Sequence, residues 1–259
     1  MHGEKALQCL LGSYPRKRPP LSDAHQKIYI DEYRANRAGS GALFSVVAWL
    51  ERWMHDAVAR PGSGPVLEIG AGTLNHVHLE GKVEYDVIEP LHDLWRDSPS
   101  QTTVRNFYDN LVDVPENLRY SRIISVAVLE HLEDLPYTIA RSGLMLTETG
   151  TFQAGFPSEG GFLWGLSWRL STGIVYRIRT GLAYSSVMGH EHLNSADEII
   201  KITNYFFHKV RRSRFPLPFH HLSFYTAISA SEPRLDRCRE FIKSRASRRP
   251  AREQRPFPD

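Results

Sequence analysis

The chain has 259 residues, 41% hydrophobic and 24% charged, and a formal net charge of +3 at pH 7, the balance of a soluble globular protein of one large domain or one domain with additions. Its two cysteines, Cys9 and Cys238, cannot supply a disulfide framework or a four-cysteine zinc site, which points to a reducing cytoplasm. No apolar run approaches the ~20 residues of a membrane span, and the first residues carry an acid and too broken an apolar stretch for a secretory leader.

Residues 22–37, SDAHQKIYIDEYRANR, open with cap-forming Ser22 and Asp23 and read as a helix that Gly39 and Gly41 end. In LFSVVAWLERWM, Leu43, Val47, Leu50 and Met54 share one face, widened by Val46 and Trp53, as in a core-packed helix. Five strands then follow: VLEIG from Val66, VEYDVIEP (83–90), TTVRNF (102–107), YSRIISVAVL (120–129) and GTFQAGFP (150–157). Helical segments separate them, most clearly DLPYTIARSGLMLTE. This alternation predicts an α/β fold: a doubly wound, mostly parallel sheet with helices on both faces. Residues 158–186 are long, apolar and aromatic, and read as one or two helices. NSADEIIKITNYF is a helix whose Ser195 and Glu198 form a capping box. FHKVRRSRFPLPFHHLSFYTAISA is split by Pro216 and Pro218 and predicts a C-terminal antiparallel hairpin, which brings the sheet to seven strands.

The expected organisation is an N-terminal helical cap (1–60), a ligand-binding core (61–157), a helical substrate-side insert (158–206), a closing β-hairpin (207–231) and a basic, flexible tail (232–259) that begins as a solvated helix. The tail's arginines suit an acidic surface such as anionic lipid. Aromatic residues do not interleave with them, so the nucleic-acid signal is weak.

VLEIGAGTLNHV is the stretch that speaks to chemistry. An apolar strand carries a carboxylate, Glu68, and breaks into a turn with Gly70 and Gly72, where a ligand can approach bare backbone. A dinucleotide fingerprint requires a third glycine, where this chain has Asn75. Glu68 would repel a pyrophosphate and suits a cation such as the ammonium of an amino acid. Glu89, closing the second strand, can take both hydroxyls of a ribose. An amino-acid end, a ribose and no phosphate together describe S-adenosylmethionine.

The run VLEIGAGTLNHV, then VIEP, then RIISVAVLEHLEDLP resembles, in order and spacing, the class I S-adenosylmethionine-dependent methyltransferases, over about residues 63–157. The resemblance implies that Glu68 lies near the methionine part, that Gly70, Ala71 and Gly72 line it, that Glu89 and Pro90 hold the ribose end, and that Asp109, with Asp113 as rival, meets the adenine amine. The main chain at Val126 and Ala127 would pass close to the cofactor. Tyr33 and Arg37 on the first helix would close over it. Where the family often has a further glycine this chain has Leu74, which implies a bulkier loop. The flanks IYIDEYRANRAG, FPSEGGFLWGLSWRL and GHEHLNSADEI are similar to small methyltransferases of surface-sugar and secondary-metabolite pathways, which implies a sugar, sugar nucleotide or related metabolite as acceptor.

Catalytic candidates come from the 12 histidines and from one acid at the carboxyl end of the sheet. A hydroxyl acceptor needs a base, and histidine titrates near neutrality. His131 follows the fourth strand, His190 and His192 lie in GHEHL, and Glu159 follows the fifth strand. No metal is expected: H-E-H is not H-E-x-x-H, His76 and His78 face together only on a strand, and Glu130 with His131 has too few partners. The aromatic insert covers an acceptor pocket or an interface, which leaves a homodimer open. Beside a small-molecule methyltransferase stand two other readings: a methyltransferase-like scaffold, suggested by Leu74, and a macromolecular methyltransferase, suggested by the basic tail.

Overall fold

Stretches that are apolar at nearly every position can form strands only where both faces are covered. The computed structural model describes residues 2–22, 25, 52–169 and 174–246. In it β1 (Val66–Ile69) and β2 (Tyr85–Ile88) are buried at every residue. With β3 (Asn106–Tyr108), β4 (Tyr120–Val126), β5 (Leu146–Pro157), β6 (Phe207–Pro216) and β7 (Ser223–Pro233) they form one seven-stranded sheet, ordered β3-β2-β1-β4-β5-β7-β6. Strands β1 to β5 pair in parallel. Strand β7 runs antiparallel to both β5 and β6, so the sheet is mixed and its last hairpin is the one expected from the sequence.

The helices are α1 (His2–Gly12), a helical segment at 52–58, α2 (Val77–Glu80), α3 (His92–Trp95), α4 (Leu135–Met145), α5 (Phe162–Trp168), α6 (Ile174–Thr180), α7 (Tyr184–Glu191), α8 (Ala196–Phe206) and α9 (Leu235–Ala246). Alternate residues of each strand feed two cores. Leu67, Ile69, Ile123 and Phe152 pack with Ile139 of α4 and Ile199 and Phe206 of α8. Val66, Val87 and Ile124 pack on the other face with Met54, Val58, Leu74 and Val77.

Caps fix where the helices begin. Asp134 accepts from the Tyr137 N–H ahead of α4, whose first turn contains Pro136. The Ser195–Glu198 capping box opens α8. Glu198 also binds Arg16 at 2.6 Å, which pins the N-terminal segment to α8.

Four departures from the expected elements have local causes. The third strand does not begin at Thr102, because Gln101–Thr103 closes as a 3-10 turn, and β3 is an edge strand only three residues long. Residues 158–186 hold α5, α6 and the start of α7 rather than one or two helices; Gly161 precedes α5 and Gly181, at φ +74°, ends α6. The span 232–259 is not flexible throughout. Its residues up to Pro233 belong to β7, and α9 is docked, with Cys238 fully buried, Phe241 against the core, and Arg245 bonded to Asp134 at 3.1 Å. Helix α1 has no counterpart among the expected elements. The helix expected at 22–37 lies almost wholly outside the described residues, as does 43–51 of the second; Met54 of the latter is buried as expected, and Val58 beyond it is buried too.

One charged network lies inside the second core. Arg122 is 3% exposed, and Glu80 and His76 are fully buried. The Arg122 guanidinium donates to Gln153 at 2.7 Å, to the carbonyls of Val58 at 2.6 Å and Arg60 at 3.2 Å, and to Glu80. His76 Nε2 bonds Glu80 at 2.7 Å, and His76 Nδ1 shares a 3.0 Å bond with His55 Nδ1. Arg122 therefore closes the carbonyl end of segment 52–58, where a cation is favoured. Burial alone would raise the Glu80 carboxyl, but the bonds from His76 and Arg122 outweigh it and hold the pKa below the usual range. Removing one partner of such a pair strands the other charge. Glu80→Ala is therefore expected to lower unfolding stability by about 3–5 kcal/mol, read from urea denaturation; an unchanged midpoint would mean that the carbonyls alone satisfy Arg122.

Candidate active site

The strand order reverses between β1 and β4, which opens a crevice at the carboxyl ends of these strands. Gly70 follows β1 at φ +73°, and a Cβ built on it would stand 2.4 Å from Val128 Cγ2, so no side chain fits between the two loops. Gly72, at φ +51°, has no heavy atom within 4 Å of a Cβ position, which leaves its backbone open. Across the crevice Ala127 holds φ +56° and donates its N–H to Gly155 O at 2.8 Å. A non-glycine residue in that region stores about 1–2 kcal/mol of strain. Ala71 and Val126 are buried beneath.

Glu89 turns over the first loop. Its Oε2 accepts the Gly72 N–H and its Oε1 accepts the Leu91 N–H, each at 2.9 Å. A carboxylate has about four acceptor sites, so two remain for a ligand. Pro90 beside it is exposed. Trp95 donates to Glu89 O at 3.3 Å and stacks on Phe107 with ring centroids 4.1 Å apart. Asp109, after β3, is exposed and bonds His92 Nε2 at 2.7 Å. Its rival Asp113 accepts the Asn110 N–H at 2.9 Å and so serves the turn.

Glu68 is 2% exposed and accepts the Tyr85 hydroxyl at 2.8 Å. Burial pushes its carboxyl up to about 7, partly offset by His76 and by the Tyr85 bond. Leu74 corrects one expectation. It keeps the left-handed backbone of the glycine it replaces, at φ +64°, but its side chain is buried in the core with Val77 and is not added bulk on the open side of the loop. Burying a leucine is worth about 1.5–3 kcal/mol, enough to offset the strain. Tyr33 and Arg37 lie outside the described residues.

A second cluster adjoins the crevice. Val128 leads directly into the 3-10 turn Leu129–His131. The stretch between α7 and α8 is fastened to this turn: Leu193 and Asn194 N–H both donate to Glu130 O, at 2.8 and 3.0 Å. The fully buried Asn194 donates to Leu129 O at 2.9 Å and Leu132 O at 2.8 Å and accepts from Tyr14 at 2.6 Å. This brings His192 edge-on to His131, with ring centroids 4.9 Å apart. His192 Nδ1 bonds Glu159 Oε2, and Trp164 stacks along the imidazole. His131 Nδ1 bonds Glu191 O at 2.8 Å. Glu130 is 1% exposed; burial raises its pKa, and its Oε2 has no partner.

Of the three catalytic candidates, His131 and Glu159 converge and His190 does not. His190 stays in the last turn of α7 and bonds Pro19 O at 2.6 Å. His192 leaves the helix as its C-cap and reaches Glu159 instead. Spacing in GHEHL does not separate the two; the end of the helix does. Asn194 and Glu130 lie inside the motif stretches, but nothing in their spacing marks them as the buried residues that fasten this cluster. His78 is exposed while His76 is buried, so they form no pair. Among the described residues no three His, Cys, Asp or Glu side chains group as a metal site, and no helix is long and apolar enough to cross a membrane.

No known family profile matches the chain, and no curated protein matches it in sequence. Among solved structures, an O-methyltransferase family protein from Burkholderia thailandensis superposes with a TM-score of 0.53 at 13% identity, over 89% of this chain and 69% of its own. A SAM-dependent methyltransferase from Thermotoga maritima, described as a possible histamine N-methyltransferase, superposes at 0.51 with 14% identity, over 71% and 92%. At such identities the likeness is one of fold: the chain has the Rossmann-like α/β fold of SAM-dependent methyltransferases.

Two titrations follow from this geometry. Burial would lower the His192 pKa, but the Glu159 bond and charge, with Glu130 and Glu191, raise it above the ordinary value. By NMR His192 is expected to titrate above the ordinary histidine range, and in Glu159→Gln below it; equal midpoints would sink the pairing. Folded Glu68, with its pKa raised to about 7, keeps a proton that the unfolded chain releases near 4.5. Its contribution is full below pH 4.5 and lost as pH rises to about 7. Glu68→Gln should therefore remove a decline of about 3 kcal/mol over that interval, read from chemical denaturation at each pH.

Proposed function

We propose that this protein is an S-adenosylmethionine-dependent methyltransferase acting on a hydroxyl or amine of a small molecule, such as a sugar, a sugar nucleotide or a related metabolite. The observation that carries the reading is Glu89, held by the Gly72 and Leu91 N–H groups beside open backbone at the β1/β4 crevice. This set fits the cofactor: a carboxylate with spare acceptor sites for ribose hydroxyls, and bare backbone at Gly70–Gly72 for the amino-acid end. Glu68 would sit toward that end, and Asp109 would meet the adenine amine from the end of β3. Val126 and Ala127 would line the opposite wall, and Tyr33 and Arg37 would close the site. When bound, the cofactor supplies an electrophilic methyl group on a sulfonium.

The chain's own part is alignment and proton handling. With Nδ1 committed to Glu159, His192 presents Nε2 as the basic nitrogen, an arrangement of base and orienting carboxylate. A hydroxyl acceptor would give its proton to this Nε2; an amine acceptor needs only to arrive neutral. His131 and Glu130 border the same space. Alignment of the acceptor would supply most of the rate. The scaffold reading drew on Leu74, whose side chain lies in the core and gives it no support.

Calorimetry with S-adenosylmethionine is the decisive test. The wild type should bind, and Glu89→Ala should bind about 10–100-fold more weakly, the loss of charged hydrogen bonds. A folded wild type that binds none overturns the reading.

A further inference from the structure

Nine large hydrophobic side chains are exposed among the described residues, and five of them lie in two touching segments. Leu217 (46% exposed), Phe219 (64%) and Leu222 (43%) occupy the connection between β6 and β7. Phe162 (65%) and Leu166 (37%) are four residues apart on α5 and so share a face of that helix. The segments meet at Gly161, where a Cβ would stand 2.6 Å from His220 O. Both sit at the carboxyl end of β5, since Pro157 pairs with Tyr225 and Phe215 pairs with Tyr225.

Within the two segments charge has one sign, with Glu159 and Asp197 the neighbouring acids. Residues 160–169 and 207–222 contain no Asp or Glu, and carry Arg169, Lys209, Arg211, Arg212 and Arg214. Arg211 and Arg212 are exposed and have no side-chain partner among the described residues. Arg214 reaches forward to Pro218 O at 3.2 Å, toward the tip of the hairpin. Lys209, further back, is paired with Glu232.

We infer that this tip is a docking surface for an anionic lipid bilayer. Phe162, Leu166, Leu217, Phe219 and Leu222 enter the interfacial layer, and Arg211, Arg212 and Arg214 meet the acidic headgroups. An apolar wedge flanked by unpaired cations is the composition that binds such an interface. A second copy of the chain is the poorer occupant, because a two-fold contact through this tip would set its arginines near one another. The inference stands apart from the methyl-transfer reading. Docking would nonetheless set Glu159, the residue before Gly160 and Gly161, close to the headgroup layer.

Co-sedimentation of the full chain with vesicles tests this. Binding is expected to vesicles of phosphatidylglycerol mixed with phosphatidylcholine and not to phosphatidylcholine alone. Arg211→Glu with Arg212→Glu should weaken it about 30-fold or more. Phe162→Asp with Phe219→Asp should weaken it about tenfold or more. Both pairs are at exposed positions, and an unchanged thermal unfolding midpoint verifies that they fold. No vesicle binding by the wild type, or a phenylalanine pair that binds as the wild type does, overturns the inference. So does a wild-type dimer that the phenylalanine pair splits into monomers, which would make a second copy the occupant.

Discussion

The crevice at the carboxyl ends of β1 and β4 depends on one close approach, that of the loop after β1 to the loop after β4. Gly70 and Val128 stand so near that a Cβ at position 70 would overlap a valine methyl. The contact holds the two loops at the place where strand order reverses, and the rest of the crevice follows from it. Gly72 is left with open space above its backbone, and Glu89 can turn back to take its N–H. Ala127 is forced into the left-handed region on the facing side. Local strain of this kind persists where the surroundings over-determine it, and here Val66, Leu74, Val77, Val87 and Ile124 pack as one core beneath.

A single carbonyl plays the matching part for the histidine cluster. Glu130 O receives two backbone N–H groups from the stretch joining α7 to α8, and Asn194 fills the remaining polar demand of the same turn. Residues some sixty positions apart are thereby locked together. His192 reaches Glu159 because its helix has ended, and His190, two residues earlier, is carried away toward Pro19. Buried polar contacts of this sort specify one arrangement when they are satisfied. Two buried atoms of this cluster are left without a partner among the described residues, Glu130 Oε2 and Trp164 Nε1.

The two ends of the hairpin β6–β7 face different demands. At Phe207 and Pro233 it is tied to the body through Arg234, whose N–H donates to Phe206 O at 2.7 Å. At the tip it offers leucine and phenylalanine to solvent, in a stretch (207–222) that carries arginines and no acid of its own. An edge strand needs protection from stray pairing, and charged side chains provide it. Arginine in the second half of β6 meets that need and sets the sign of the surface.

Most of the strands, their direction and the glycine turn after β1 were legible in the sequence, because each rests on local signals. Val66–Ile69 is apolar and turn-bounded, Gly70 and Gly72 mark bare backbone, and Glu89 closes a strand. The Ser195–Glu198 box marks a helix start to the residue. Helix α9 was legible as a basic, solvated helix but not as a docked one, since its docking rests on Cys238 and on Arg245 meeting Asp134, over a hundred residues away. Leu74 read as added bulk, because a sequence shows a side chain's size and not the direction that a left-handed backbone gives it. The choice of His192 over His190, the buried Asn194, the Arg122–Glu80–His76 network and the exposed tip were decided by tertiary structure alone. Local spacing determines periodicity, turns and caps; burial, and the partner a polar group finds across a fold, depend on which distant segments the sheet order brings together.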